Sequence, residues 1–143
     1  MPDLTSRRFH ELTALEFHDI ARLRSEVFVV EQNCVYLDLD GRDAGPGTEH
    51  HWIEADGRIV CYARTMTEPG GEVRIGRVVT SAGTRGRGLA TELMYALVER
   101  FDADPIVLDA QSHLADWYEG FGFDVVGDEY LDDGIPHVPM RRR

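Results

Sequence analysis

The sequence of 143 residues contains no lysine; all 15 of its basic side chains are arginine. Set against 26 acidic residues, they leave a formal net charge of -11. Such a charge repels nucleic-acid phosphates and anionic lipid headgroups, so neither a nucleic acid nor a membrane is an expected partner. Genome base composition accounts most simply for the missing lysine, and an acidic surface would also suit high salt. No apolar run approaches the roughly 18 residues of a spanning helix. Met1-Pro2-Asp3-Leu4 has neither the basic nor the hydrophobic stretch of a signal peptide, so a cytoplasmic location is expected. The two cysteines, Cys34 and Cys61, lack the spacing of a CxxC redox or zinc motif and read as free thiols in a reducing compartment. No glycine-rich stretch ends in the GK[ST] of a P-loop. There is no internal repeat.

Apolar residues make up 43% of the chain and charged residues 29%, enough for one compact domain over residues 1–143 whose core needs no staples. A short strand is expected around Arg8–Leu12. Thr13-Ala14-Leu15-Glu16 then forms a capping box that opens a helix. Its apolar stripe is Ile20, Leu23, Val27 and Val30, and it runs to about Glu31. Residues 33–48 carry no periodicity and read as a long loop. Alternation returns in His50–Glu54 and Arg58–Thr65, joined at Asp56-Gly57 as a type I′ hairpin requires. A third strand, Glu72–Thr80, completes an antiparallel meander. Leu89, Leu93, Leu97 and Phe101 mark a second helix. A strand at Pro105–Ala110, a helix at Ser112–Glu119, and strands near Phe123–Tyr130 and His137–Arg141 follow. This order specifies a mixed α+β fold with helices on a central sheet.

Between Val78 and Ala90 a strand turns through glycines straight into a helix. Backbone amides at such a turn and helix start point outward without partners, and the helix dipole adds positive potential. Gly86 and Gly88 admit close approach of a pyrophosphate, and Arg85 and Arg87 add charge. A glycine-rich connection with solvated arginines fits the bare pattern equally well.

Arg85-Gly86-Arg87-Gly88-Leu89-Ala90 resembles the R/Q-x-x-G-x-G/A signature of the GNAT superfamily of N-acetyltransferases, and the element order is similar too. The ElaA-like subgroup is suggested by the run from Leu23 to Cys34, by Gly76-Arg77-Val78-Val79, by Ala110-Gln111-Ser112-His113 and by Asp133-Gly134-Ile135-Pro136-His137. Val35 and Ala82 stand where relatives tend to carry proline. The resemblance implies the GNAT fold and binding of acetyl-CoA as cosubstrate without a metal. Val78, Val79 and Thr80, on a strand splayed from its neighbour, would meet the pantetheine and thioester carbonyl. The amides of Arg85, Gly86, Arg87, Gly88, Leu89 and Ala90 would hold the pyrophosphate, and Gln111 and Tyr118 would complete the cofactor site. Transfer in the superfamily proceeds by direct attack of a neutral amine, so neither cysteine is needed as a nucleophile.

Tyr118 stands where relatives place a tyrosine near the cofactor sulfur, and its phenol could protonate the departing thiolate; packing against Trp117 and Phe121 is the plainer alternative. The amine also needs a base. Glu31, His51, Asp109, His113 and His137 are candidates, and Glu31, closing the first helix beside the irregular loop, is the first choice. His50 and His51 alternate faces, so only one of them could reach a cleft.

The loop Asp38-Leu39-Asp40-Gly41-Arg42-Asp43 superficially suggests calcium, but Arg42 stands at a ligand position and the glycine comes too early for an EF-hand. Its carboxylates, with Asp132 and Asp133, could instead form a negative rim that attracts a cationic amine. Arg141-Arg142-Arg143 reads as an exposed tail. The expectation is an N-acetyltransferase that moves an acetyl group from acetyl-CoA to a primary amine on a small molecule or peptide. The alternative is a noncatalytic acyl-CoA-binding or interaction module of the same fold. No pattern in the residues specifies an oligomeric state.

Overall fold

The computed structural model describes residues 4–143. Its strands are β1 (Leu4–Arg8), β2 (Thr48–Ala55), β3 (Arg58–Thr67), β4 (Val73–Thr80), β5 (Ile106–Gln111), β6 (Asp124–Val125), β7 (Tyr130–Asp132) and β8 (Ile135–Arg142). They form one sheet in the order β1-β2-β3-β4-β5-β8-β6, with β7 paired to β8. Only the β4–β5 pairing is parallel. The helices are α1 (Ala14–Arg24), α2 (Leu89–Arg100) and α3 (Ala115–Glu119). This is the expected α+β architecture. No helix among the described residues is long and apolar enough to cross a membrane.

Two apolar clusters cover the sheet. One joins α2 and α3 to Ile53, Cys61, Ala63, Ile75, Ile106, Leu108, Ala110 and Met140. The other joins α1 to Trp52, Tyr62 and Val79. Alternation along a strand explains why Trp52 and Ile53, or Cys61 and Tyr62, belong to different clusters. Ile75 and Val79 need another explanation, because an even separation would keep them on one face of an unbroken strand. A bulge intervenes: Tyr62 pairs with Val79 and Arg64 with Gly76, so Arg77 and Val78 together oppose Ala63. The inserted residue turns the rest of β4 over.

Several local expectations hold. Thr13 Oγ1 accepts the Glu16 amide at 3.0 Å, and Glu16 Oε1 accepts the Thr13 amide at 2.9 Å. Asp56 and Gly57 have φ of 53° and 75°, as a type I′ turn demands. Both thiols are free and buried.

Others are corrected. The first strand is Leu4–Arg8 rather than Arg8–Leu12: its ladder with β2 ends at Arg8↔Glu49, and Phe9–Glu11 then curl into a 3₁₀ turn. The first helix continues to Glu31, but Ser25–Glu31 widens into π-helical geometry, with the Gln32 amide reaching back to the Val27 carbonyl at 2.9 Å. The wider turn rotates the stripe. Val30 is consequently 75% exposed while Phe28 is buried. The expected strand near Phe123–Tyr130 is two short ones, β6 and β7, both paired to β8. The terminal arginines are not a free tail, since β8 extends through Arg142. Arg141 pairs with Glu72, and Arg142 donates to the Phe121 carbonyl at 2.9 Å.

The aperiodic loop is tied down by buried charge. Arg24, with no exposed surface, donates to Asp38 at 2.9 Å and to Asp43 at 2.6 Å. Arg64 joins Asp43 at 3.1 Å and Asp40 at 2.9 Å. Breaking such a cluster by removing one partner leaves an uncompensated buried charge, which typically costs about 3–5 kcal/mol.

His51 is fully buried, with Nδ1 2.7 Å from Ser6 Oγ and Nε2 2.8 Å from Thr65 Oγ1. Burial, with Arg100 nearby, pushes its pKa down to about 3, and burial lowers that of His50 too. Above the unfolded value both states hold a neutral ring. As pH falls below it, the unfolded chain gains a proton that the folded chain refuses, so stability is lost down to the folded pKa, by at most about 1.4 kcal/mol per pH unit for each such ring. In urea denaturation, His51→Gln should therefore show a shallower loss of stability than the native chain between about pH 6 and pH 4. Equal slopes would remove His51 from the acid response.

Candidate active site

The bulge and the parallel pair together open the sheet. β4 and β5 are paired only at Val73↔Ile106 and Arg74↔Val107, so beyond Arg74 the two strands diverge. Ser81 donates its amide to the Val60 carbonyl on the β3 side at 2.8 Å. By alternation the Thr80 and Val78 amides face the gap.

A cavity of about 620 Å³ occupies one side of the gap. All the residues expected to hold the cofactor line it except Arg87: Val78, Val79, Thr80, Arg85, Gly86, Gly88, Leu89, Ala90, Gln111 and Tyr118 are present. Gly86 and Gly88 have φ of 81° and 75°, a region in which a side chain would be strained. Gly88 caps α2 without a side-chain hydrogen bond, leaving the first-turn amides free for an anion. These groups fit a pyrophosphate, and the gap fits an extended chain beyond it.

A second cavity, of about 310 Å³, lies on the other side. Phe28, Gln32, Val78, Gln111, Leu114 and Tyr118 line both, so the two meet at the gap. Phe28 and Gln32 were missed by residue-level reasoning because their positions depend on the π-helical turn, which a 3.6-residue period does not reveal. Their only signal was the Leu23–Cys34 block.

Tyr118 sits at this junction, 7% exposed. It packs edge-on against Trp117 at 4.8 Å and Phe123 at 6.2 Å. Burial pushes its pKa up to about 12, so the phenol keeps its proton at neutral pH. Packing and an acid role are thus compatible.

The base candidates separate. Glu31 lies on the wall of the larger cavity, where Arg85 grips both carboxylate oxygens at 2.7 and 2.9 Å. That hydrogen bonding holds its carboxyl below the usual range, a disposition that weakens it as a base. His113 lines the same cavity. His51 lines neither cavity. Asp109 is held by Arg74 at 2.7 Å. Only Asp109 and His137 face the smaller cavity.

The proposed negative rim is corrected in part. Asp38, Asp40 and Asp43 are bound to arginines. Burial works against ionisation of Asp40, but hydrogen bonds from Arg64 and the Arg42 amide, with Arg77 nearby, lower its pKa overall. Asp132 and Asp133 line the smaller cavity without an ion-pair partner among the described residues. No group of three or more metal-ligating side chains is present among them.

A GNAT acetyltransferase domain model matches residues 20–143. A UPF0039 protein of Mycobacterium tuberculosis is 46% identical over 136 residues, covering 92% of this chain and 87% of that protein. ElaA of Escherichia coli is 38% identical over 141 residues, covering 92% and 90%. Its crystal structure superposes with a TM-score of 0.93 over the whole of both chains. The crystal structure of an acyl-CoA N-acyltransferase from Pseudomonas aeruginosa, 39% identical, gives 0.93 over 99% of each chain. The splayed sheet and glycine turn are thus those of an acyltransferase fold. The chain belongs to the GNAT acetyltransferase family, whose members are acyl-CoA-dependent transferases.

Arg77 holds the bulge in place. Its φ of 55° lies in the left-handed region, and its guanidinium donates to the Asp38 carboxylate at 2.9 Å and carbonyl at 3.2 Å. Arg77→Ala keeps the strained backbone and loses these bonds, whereas Arg77→Gly loses the bonds but relieves the strain. Urea denaturation should find the glycine variant more stable than the alanine variant by about 1 kcal/mol. The reverse order would place the bulge elsewhere in solution.

Proposed function

We propose that the protein is an N-acetyltransferase that moves the acetyl group of acetyl-CoA to a primary amine by direct attack within a ternary complex. The observation that carries this reading is the meeting of the two cavities at Tyr118, between the diverging strands. The larger takes the donor and the smaller the acceptor. Acetyl-CoA supplies the activated thioester. The Arg85–Ala90 turn and the start of α2 hold its pyrophosphate, and Val78, Val79, Thr80 and Gln111 bind the chain that leads to the thioester. The Val78 amide in the gap can stabilise negative charge on the carbonyl oxygen as the amine attacks. Tyr118, kept protonated by burial, supplies the proton for the leaving sulfur. Glu31 serves the donor side by fixing Arg85. Asp132 and Asp133, in no ion pair among the described residues while the arginines of the same cavity are each paired to other carboxylates, favour a cationic acceptor.

Calorimetric titration of acetyl-CoA tests the reading. Native protein should bind at micromolar concentrations, and Arg85→Glu combined with Gly88→Asp should abolish binding. Tyr118→Phe should bind normally and turn over about a hundredfold more slowly. No binding to the native chain would overturn the function. Full turnover by Tyr118→Phe would remove the acid role alone. Binding without transfer to any amine would leave a noncatalytic acyl-CoA-binding module.

A further inference from the structure

We propose that His137 is the base that takes the proton from the acceptor ammonium, a role that rests on the acetyltransferase reading above. Its ring is oriented by its own strand. Nδ1 lies 2.8 Å from the Ile135 carbonyl oxygen, which can only accept, so Nδ1 carries a hydrogen and, in the neutral ring, the lone pair is on Nε2. Among the described residues Nε2 has no hydrogen-bond partner. The ring stacks on Tyr130, with centroids 5.9 Å apart and planes 25° apart, so both its tilt and its tautomer are set.

Position follows from the sheet. His137 is registered opposite Gln111, and paired residues of an antiparallel ladder project from the same face with their Cβ atoms about 5 Å apart. Gln111 is one of the residues shared by the two cavities, so His137 stands one strand away from the junction, on the acceptor side. Val138 and Met140, the alternating residues of β8, pack into the opposite cluster. The charged and titratable groups that share the smaller cavity with the ring are Asp109 on β5, Tyr130 and Asp132 on β7, Asp133 in the turn, Arg74 and Arg77 on β4, Arg64 on β3, Tyr118 on α3, and Cys34, Tyr36, Asp40 and Arg42 of the loop. Arg74 already holds Asp109. Burial, reinforced by Asp109, pushes Tyr130 up to about 12 and keeps it neutral. His137, its Nε2 without a hydrogen-bond partner among the described residues, lines the same cavity.

The proton balance is complete. The ammonium gives one proton to Nε2, from which it passes to solvent. The neutral nitrogen bonds to the thioester carbon, the carbon–sulfur bond breaks, and the sulfur takes the proton of Tyr118. The second proton lost by the nitrogen restores the phenol.

The test uses the full chain, acetyl-CoA and a panel of benzylamine, putrescine and glycinamide. His137→Ala removes the ring, whereas His137→Asn keeps an amide donor for the Ile135 carbonyl and controls for structure. Both should bind acetyl-CoA as the native chain does and lose about a hundredfold in kcat. The deficit should shrink as pH rises toward the pKa of the amine, since a neutral amine needs no base, and added imidazole should partly rescue the alanine variant. Long-range nitrogen NMR of the native chain should show the Nδ1-protonated tautomer. Native-like turnover by His137→Asn, or a deficit that does not change with pH or imidazole, would overturn the role of His137 and leave the acetyltransferase reading standing. Failure of the native chain to bind acetyl-CoA, or to acetylate any of the amines, would overturn both.

Discussion

The side chain of Arg24 is the tie on which the active-site geometry depends. It leaves the last turn of α1 with no exposed surface and finds Asp38 and Asp43, so a stretch without hydrophobic pattern is ordered by charge instead. The same two aspartates reach onward, Asp43 to Arg64 on β3 and Asp38 to Arg77 in the bulge. His50 adds a neutral strut, with one ring nitrogen 2.9 Å from the Asp43 carbonyl and the other 2.7 Å from the Tyr62 hydroxyl. Buried ion pairs of this kind contribute little net stability compared with well-packed apolar residues. What they supply here is position: helix, loop and two strands are held in one relation.

That relation shapes the gap. Because Arg77 is fastened to the loop, the bulge falls where β4 parts from β5, and Val78 and Thr80 turn amides to the opening. The π-helical segment acts from above. By carrying Phe28 and Gln32 to the junction, it closes the side of the gap that the sheet leaves uncovered. The two cavities are therefore two halves of one fault in the sheet, and their alignment is inherited from its register.

Much of this was legible in the residues. The capping box at Thr13, the hairpin at Asp56-Gly57 and the α2 stripe each follow from short-range physics. The glycine turn could be read as a candidate anion site because its chemistry is local. What was not legible is long-range. Nothing in the pattern around Arg77 reveals a left-handed residue, since the cause lies in Asp38, far along the chain. The π-helical turn escapes a search at 3.6 residues, which is why Val30 was read as buried. Glu31 illustrates the same limit at the site, because its partner Arg85 belongs to a different element. For His137 the deciding contact, to Ile135, is local, but its neighbour Gln111 is reached only through strand pairing.

Arginine supplies the permanent positive charge of the smaller cavity, where Arg42, Arg64, Arg74 and Arg77 line the wall. A guanidinium stays protonated under all ordinary conditions and offers no lone pair to a thioester. A lysine in any of these places would bring an amine into the cavity, and under the acetyltransferase reading that amine would compete with the acceptor. The cavity can therefore hold permanent positive charge without presenting a side-chain amine, and a chain free of lysine presents none elsewhere.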